Sequence, residues 1–200
     1  RTHAADAVWV TLCGSLPPGV PVDWYRTVAD DLSDLGCRIA VDTSGPPLHA
    51  AALGSVDLLK PNEDELAEVT GADGEVFRRS ASTGDFGPIV AAARTIVDRT
   101  GGAVLSTLGA TGAILTTPAG SWFATPPPIV PRSTVGAGDS SLAGYLVAET
   151  RGASEPERLR SAVAYGAAAA ALAGTQAPTP DQLDLDGVRV TELTGAARVT

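Results

Sequence analysis

A mostly parallel α/β sheet with helices on both faces is the fold this sequence predicts. Three observations carry that expectation. Short apolar runs alternate with segments whose apolar residues fall at helical spacing, the pattern of a layered α/β protein. The runs end in Gly- or Pro-marked loops at 14–19, 42–45, 60–65 and 106–112, where ligands of such sheets bind. A further Gly-rich turn at 133–139 opens a helix. No internal repeat or linker divides the chain, so residues 1–200 read as a single α/β domain.

The elements follow in order. Val8–Leu12 reads as a buried strand running into Gly14-Ser15-Leu16-Pro17-Pro18-Gly19. Asp23 is placed to cap a helix from Trp24 to Leu35, with Trp24, Val28, Leu32 and Leu35 on one face and Gly36 ending it. Arg38–Val41 is the next strand, followed by Asp42-Thr43-Ser44-Gly45 and a short helix near Pro46–Leu53. Val56–Leu59 is a third strand. Glu63–Val69 is a helix with three acids in its first turn, favourable against the helix dipole. Residues 72–87 are polar and are expected to form a mobile surface loop. Ile89–Arg99 is helical, and Ala103–Ser106 a fourth strand. Ala113–Thr116 and Trp122–Ala124 form a hairpin around Pro118-Ala119-Gly120. Pro126-Pro127-Pro128 makes an extended connector. Asp139–Thr150 and the Ala-rich Glu155–Ala173 are helices, and Val188–Leu193 a closing strand.

Composition excludes several function classes. A net charge of −9 argues against a nucleic-acid partner, which needs an excess of Lys and Arg. Cys13 and Cys37 are too few for a disulfide framework, which points to a reducing, cytoplasmic setting. No secretory leader is expected, and the uncharged stretch 161–180 is too weakly apolar for a membrane span. With 44% hydrophobic residues the chain is not disordered. It contains no Met and starts at Arg1, so it is expected to be the later part of a longer product. A single Lys, Lys60, and a single Asn, Asn62, stand two apart in a chain that otherwise avoids both. That pairing points to side-chain chemistry which Arg or Asp does not supply.

The sharpest motif is Thr134-Val135-Gly136-Ala137-Gly138-Asp139. Small residues just before a helix leave backbone N–H groups uncovered, and with the helix dipole these make an anion site. An acid in the first turn reaches the same point as a proton acceptor. A bare Gly-x-Gly-Asp is also an ordinary helix cap; the continuation Ser140-Ser141-Leu142-Ala143-Gly144-Tyr145-Leu146 decides between the two.

From Ser133 to Leu146 the string resembles the second signature of the ribokinase-like, or PfkB, carbohydrate kinases. The resemblance implies a three-layer sandwich in which Asp139 takes the proton from the sugar hydroxyl. Gly136, Ala137 and Gly138 would stabilise the transferring phosphoryl group. Asn62-Glu63-Asp64-Glu65 is similar to the family's Asn-x-x-Glu motif, implying that Asn62 and Glu65 order the waters of a Mg²⁺. The other reading of that segment is a helix cap with a solvated acidic face. Ser106-Thr107-Leu108-Gly109-Ala110-Thr111-Gly112 resembles the nucleotide loop, with Ser106, Gly109 and Gly112 against ATP and Lys60 at a phosphate. Gly14-Ser15-Leu16-Pro17-Pro18-Gly19, Asp42-Thr43-Ser44-Gly45 and Lys60-Pro61-Asn62 are similar to the hexose-phosphate branch. That branch holds 1-phosphofructokinase, tagatose-6-phosphate kinase and the minor 6-phosphofructokinase. Gly14 and Ser15 would then meet the sugar, Ser15 at its phosphate or a nearby hydroxyl, and Cys13 would be a buried, inert thiol.

The resemblance runs from about Val8 to about Leu193 and lacks the family's N-terminal strands and lid, through which the full-length enzyme is expected to pair as a homodimer. It implies ATP- and Mg²⁺-dependent phosphorylation of a ketohexose phosphate, fructose 1-phosphate giving fructose 1,6-bisphosphate. The alternatives are fructose 6-phosphate or tagatose 6-phosphate as substrate, and a fragment that holds nucleotide without turnover. This chain alone, short of its lid, is expected to be inactive.

Overall fold

The computed structural model describes residues 4 and 6–194. Strand order follows chain order from β1 to β7: Trp9–Cys13, Arg38–Asp42, Leu58–Leu59, Ala103–Thr107, Ala113–Thr117, Gly120–Thr125 and Arg189–Glu192. Two compact units make up the chain, one built mainly from residues up to Ser106 and the other mainly from 107–115 and 122–193.

In the first unit β1 to β4 are parallel. Between them come α1 (Trp24–Ser33), α2 (Gly45–Ala51), α3 (Glu63–Thr70), α4 (Gly74–Ser82) and α5 (Gly87–Thr100). Val10 lies opposite Ile39, Val41 opposite Leu59, and Leu59 opposite Val104. Ile39, Val41, Leu58, Leu59, Val104 and Leu105 are all buried, as expected for a parallel sheet covered on both faces. Each such Leu or Ile contributes about 1.5–3 kcal/mol of transfer free energy. β3 is only two residues long, but Asp57 N–H donates to Ile39 O and Lys60 N–H to Val41 O, so pairing with β2 extends one residue to either side of it.

Three expectations are corrected here. The polar stretch 72–87 holds a helix, α4: Asp73 caps it by accepting the Glu75 N–H, and Phe77 is its buried anchor. One anchor leaves no periodic signal, which is why the composition reads as loop. In α1 the buried face is Tyr25, Ala29 and Leu32, while Trp24 is 48% exposed and Leu35 lies beyond the helix end. Asp23 occupies the cap position without a side-chain cap bond and pairs instead with Arg26 at 3.7 Å. Third, β1 is only partly covered and Cys13 is exposed, not buried; Cys37 is the buried thiol, donating to Ala4 O at 2.7 Å.

In the second unit β6 and β7 are antiparallel, Phe123 opposite Thr191. Helices α6 (Ala137–Thr150) and α7 (Glu155–Ala171) pack closely because small residues face each other. A Cβ on Gly144 would lie 2.7 Å from Ser161 O and 2.8 Å from the Tyr165 ring, so only glycine fits. Ser161 Oγ seals the contact by donating to Gly144 O at 2.7 Å. Tyr145, beside it, is buried, and burial raises its phenol above the usual tyrosine range against the opposing pull of Arg158. Among the described residues no helix is long and apolar enough to cross a membrane.

Candidate functional site

The carboxyl end of β2 is where the first unit gathers its expected ligand residues. Gly14 leaves β1 at φ 85° and donates its N–H to Asp42 O at 2.9 Å. The Asp42 carboxylate accepts from Lys60 Nζ at 2.9 Å. The parallel register makes this meeting possible: Cys13 lies opposite Asp42 and Val41 opposite Leu59, so Asp42 stands between the exits of β1 and β3. Lys60 is therefore neither a surface lysine nor an unpaired one; its side chain is 7% exposed against a carboxylate that is 17% exposed. Asp42 is a residue that the sequence reading quoted in a motif but gave no role. Its signal was the one Lys in the chain, which a buried position obliges to have a counter-charge.

Asn62 and Glu65 sit at the start of α3 and bind each other in a reciprocal capping box. Asn62 Oδ1 accepts the Glu65 N–H at 2.8 Å, and Glu65 Oε2 accepts the Asn62 N–H at 2.8 Å. The helix-cap reading of this segment is thus present in the structure. The box uses Asn62 Oδ1 and Glu65 Oε2, so the Asn62 amide NH₂ and the second Glu65 oxygen stay outside it, and Asn62 is exposed. Beside them, burial and the neighbouring Asp64 raise the Glu63 carboxyl above its ordinary range, while Arg78 pulls it down. Among the described residues no cluster of three His, Cys, Asp or Glu side chains stands ready to hold a metal. The acid and amide of the cap fit a hydrated Mg²⁺, which keeps its waters and takes few protein ligands.

Ser106, near the end of β4, has a fully buried side chain, and its Oγ meets no hydrogen-bond partner among the described residues. An unmatched buried hydroxyl costs about 1–3 kcal/mol, so it calls for a partner. An ordered water or a ligand oxygen would fill that place.

In the second unit, Gly109 opens a short 3₁₀ turn at φ 56° and Gly112 closes it at φ 127°. A Cβ on Gly112 would run into the Ala124 carbonyl oxygen, so packing alone requires this glycine. Around Gly109 there is open space where a Cβ would lie. Gly136 takes φ 79° as the cap of α6, again with open space beside it and no side-chain cap. The Gly138 and Asp139 N–H groups meet no acceptor among the described residues, and exposed Asp139 sits in the first turn. An uncapped helix start with free amides and a dipole favours an anion there.

Every nominated residue but Ser106, which lies inside β4, stands in a loop or at a helix start. The structure links Gly14 and Lys60 through Asp42, and Asn62 to Glu65. It leaves Ser15 exposed, with no side-chain hydrogen bond among the described residues. Gly109, Gly112 and 136–139 belong to the second unit and are described only within it.

Fold and site define a class: α/β proteins that present uncovered backbone N–H groups at a glycine-capped helix start. Within that class, the chain belongs to the pfkB family of carbohydrate kinases, whose pattern residues 3–182 match. It is 37% identical over 175 residues to the 1-phosphofructokinase of Rhodobacter capsulatus, covering 88% of this chain and 52% of that protein. It is 36% identical over 185 residues to the ATP-dependent 6-phosphofructokinase isozyme 2 of Mycobacterium tuberculosis, covering 92% of this chain and 52% of that one. The crystal structure of phosphofructokinase-2 from Escherichia coli in complex with potassium superposes with a TM-score of 0.78 at 31% identity, over 87% of this chain and 54% of that one. The chain spans about half the length of the curated relatives it matches.

Proposed function

We propose that this chain is the C-terminal, nucleotide-binding and catalytic portion of a cytoplasmic, ATP-dependent ketohexose-phosphate kinase, a phosphotransferase with an alcohol acceptor. Its substrate is fructose 1-phosphate and its product fructose 1,6-bisphosphate. The observation that carries the reading is the start of α6, where free amides and Asp139 stand together behind Gly136. Phosphoryl transfer asks for positioning and charge neutralisation more than covalent chemistry, and this element offers both.

In this reading Asp139 accepts the proton of the attacking hydroxyl as its oxygen bonds to the γ-phosphorus and the bridging oxygen leaves with ADP. The amides of Gly136 and Gly138, joined by that of Asp139, neutralise charge on the moving phosphoryl group; the Ala137 N–H, expected among them, donates instead to Thr134 O at 3.3 Å. Lys60, Asn62, Ser106 and Gly109 bind ATP, and Gly112 shapes their loop. Gly14 and Ser15 meet the sugar phosphate. Asn62 and Glu65 would hold a Mg²⁺ through its waters, and that ion would supply charge neutralisation for ATP. The full-length enzyme works as a homodimer.

A second substrate reading is supported by a specific observation: the 6-phosphofructokinase relative is almost as similar as the 1-phosphofructokinase one. The test is turnover of the full-length protein on fructose 1-phosphate, fructose 6-phosphate and tagatose 6-phosphate, followed by ADP release. We expect kcat/KM for fructose 1-phosphate to lead by about tenfold or more, the discrimination that a few placed polar contacts give. A lead for either 6-phosphate replaces the substrate. Nucleotide binding with no turnover on any sugar makes the protein a nucleotide holder instead.

The metal assignment has its own test. Glu65→Gln keeps the capping box, since Gln serves at that position as Glu does. The fold should therefore persist while the Mg²⁺ concentration for half-maximal activity rises, because a neutral amide still bonds a metal-bound water but no longer attracts the ion. An unchanged magnesium titration removes Glu65 from the metal site.

A further inference from the structure

The loop that leaves β1 is held by two hydroxyls that have no role in the reading so far. Thr43 Oγ1 donates to Gly14 O at 2.8 Å, and Thr43 is buried. Tyr25, from α1, shares its single phenol O–H between Cys13 O at 3.0 Å and Gly14 O at 3.1 Å, a three-centre bond. The Gly14 carbonyl is therefore reached by one full donor, Thr43, and one shared donor, Tyr25. Gly14 N–H is committed as well, to Asp42 O at 2.9 Å. Gly14 is thus pinned on both sides, from one helix and one strand exit.

The consequence falls on the next residue. In a trans peptide the N–H points opposite to the C=O. With the Gly14 carbonyl turned inward onto Thr43 and Tyr25, the Ser15 N–H in the same plane points outward. It meets no acceptor among the described residues, and Ser15 is exposed. The plane therefore turns a backbone N–H outward on a residue whose exposed side chain carries a hydroxyl, two donors that one phosphoryl oxygen can use.

We propose that Tyr25 and Thr43 are positioning residues that fix the Gly14–Ser15 peptide plane, so that the Ser15 N–H and Oγ together donate to the phosphate of the sugar substrate. The inference rests on the proposed function for the identity of that phosphate. Burial raises the Tyr25 phenol above its ordinary range, with a smaller push from Cys13, so the group stays a donor at neutral pH. Tyr25 and Thr43 touch neither reactant; they act through one carbonyl.

The experiment uses the full-length protein with Tyr25→Phe, Thr43→Val, the double variant and Thr43→Ser. Phe keeps the buried ring and Val the buried shape, so each removes one hydroxyl alone. KM for fructose 1-phosphate should rise about fivefold in each single variant, the worth of one neutral hydrogen bond, and further in the double. Both kcat and KM for ATP should hold, and Thr43→Ser should restore the parent value. A merely structural role would lower Tm without singling out one substrate. In parallel, the Ser15 amide resonance is followed during titration with fructose 1-phosphate. It should move in the parent and need about fivefold more ligand in the variants. A Ser15 amide that ignores fructose 1-phosphate in a protein that turns it over overturns the inference and leaves the proposed function standing. A responsive amide with equal KM across all variants overturns the positioning role. A parent that turns over none of the three sugars overturns the proposed function, and the Ser15 titration still decides the clamp by whether variants weaken it.

Discussion

Asp139→Asn in the full-length protein should lower kcat by about 10²–10⁴ while nucleotide affinity stays within about twofold. The size is that of a positioned general base. The specificity of the effect follows from the structure. Asp139 is exposed and accepts no hydrogen bond among the described residues, so the amide disturbs no structural contact. It stands in the first turn of α6, where losing a carboxylate costs about 0.3–1 kcal/mol against the helix dipole. Tm should therefore barely move, and a collapse of activity cannot be ascribed to unfolding. The free amides behind Gly136 are backbone groups and survive the change, which is why ATP should still bind. Steady-state kinetics beside calorimetric titration with MgATP gives both numbers. If the variant kept more than a tenth of parental kcat, Asp139 would not be the base.

The start of α6 was legible because it is local. Gly136, the helix start and Asp139 are neighbours in sequence, so a glycine turn followed by an acid already states the geometry. The capping box at Asn62 and Glu65 was legible for the same reason, and the strands with continuous apolar runs were found within a residue or two. What failed to show depends on partners far away in sequence. Trp24, Val28, Leu32 and Leu35 keep helical spacing, yet so do Tyr25, Ala29 and Leu32. The choice between the faces is made by the sheet and by the Cys13 and Gly14 carbonyls that Tyr25 reaches. α4 was hidden because tertiary packing of Phe77 and an Asp73 cap stand in for the missing apolar stripe. Cys13 looked buried because its strand is apolar; its position at the partly covered β1 exit decides otherwise. The conspicuous lone Lys60 was visible, but its carboxylate lies 18 residues upstream and is found only through strand register.

That pair gives the second large effect. Asp42→Ala leaves the Lys60 ammonium buried without this carboxylate, and stability should fall by about 3–5 kcal/mol, as when one partner of a buried ion pair is removed. Asp42→Leu with Lys60→Met should recover most of that loss, because apolar residues of similar volume commonly replace a buried pair at little cost. Measured beside its own single variants, Asp42→Leu and Lys60→Met, the double replacement marks a direct coupling if it loses less than their sum, whereas simple addition of those two losses would mean that the residues act independently. Denaturant midpoints on the full-length protein measure both. The backbone bond from Gly14 to Asp42 O is untouched by these side-chain changes, so the loop exit stays pinned. Nucleotide then separates a structural pair from a functional one. If Lys60 meets an ATP phosphate, the bound phosphate supplies the counter-charge that Asp42→Ala removed. By linkage, MgATP should raise Tm more in Asp42→Ala than in the parent. In the double replacement, which has no ammonium to serve, the ligand-induced rise should shrink below the parental value. An equal rise in all three proteins would take Lys60 out of the nucleotide site and leave the buried pair as a strut between the ends of β2 and β3.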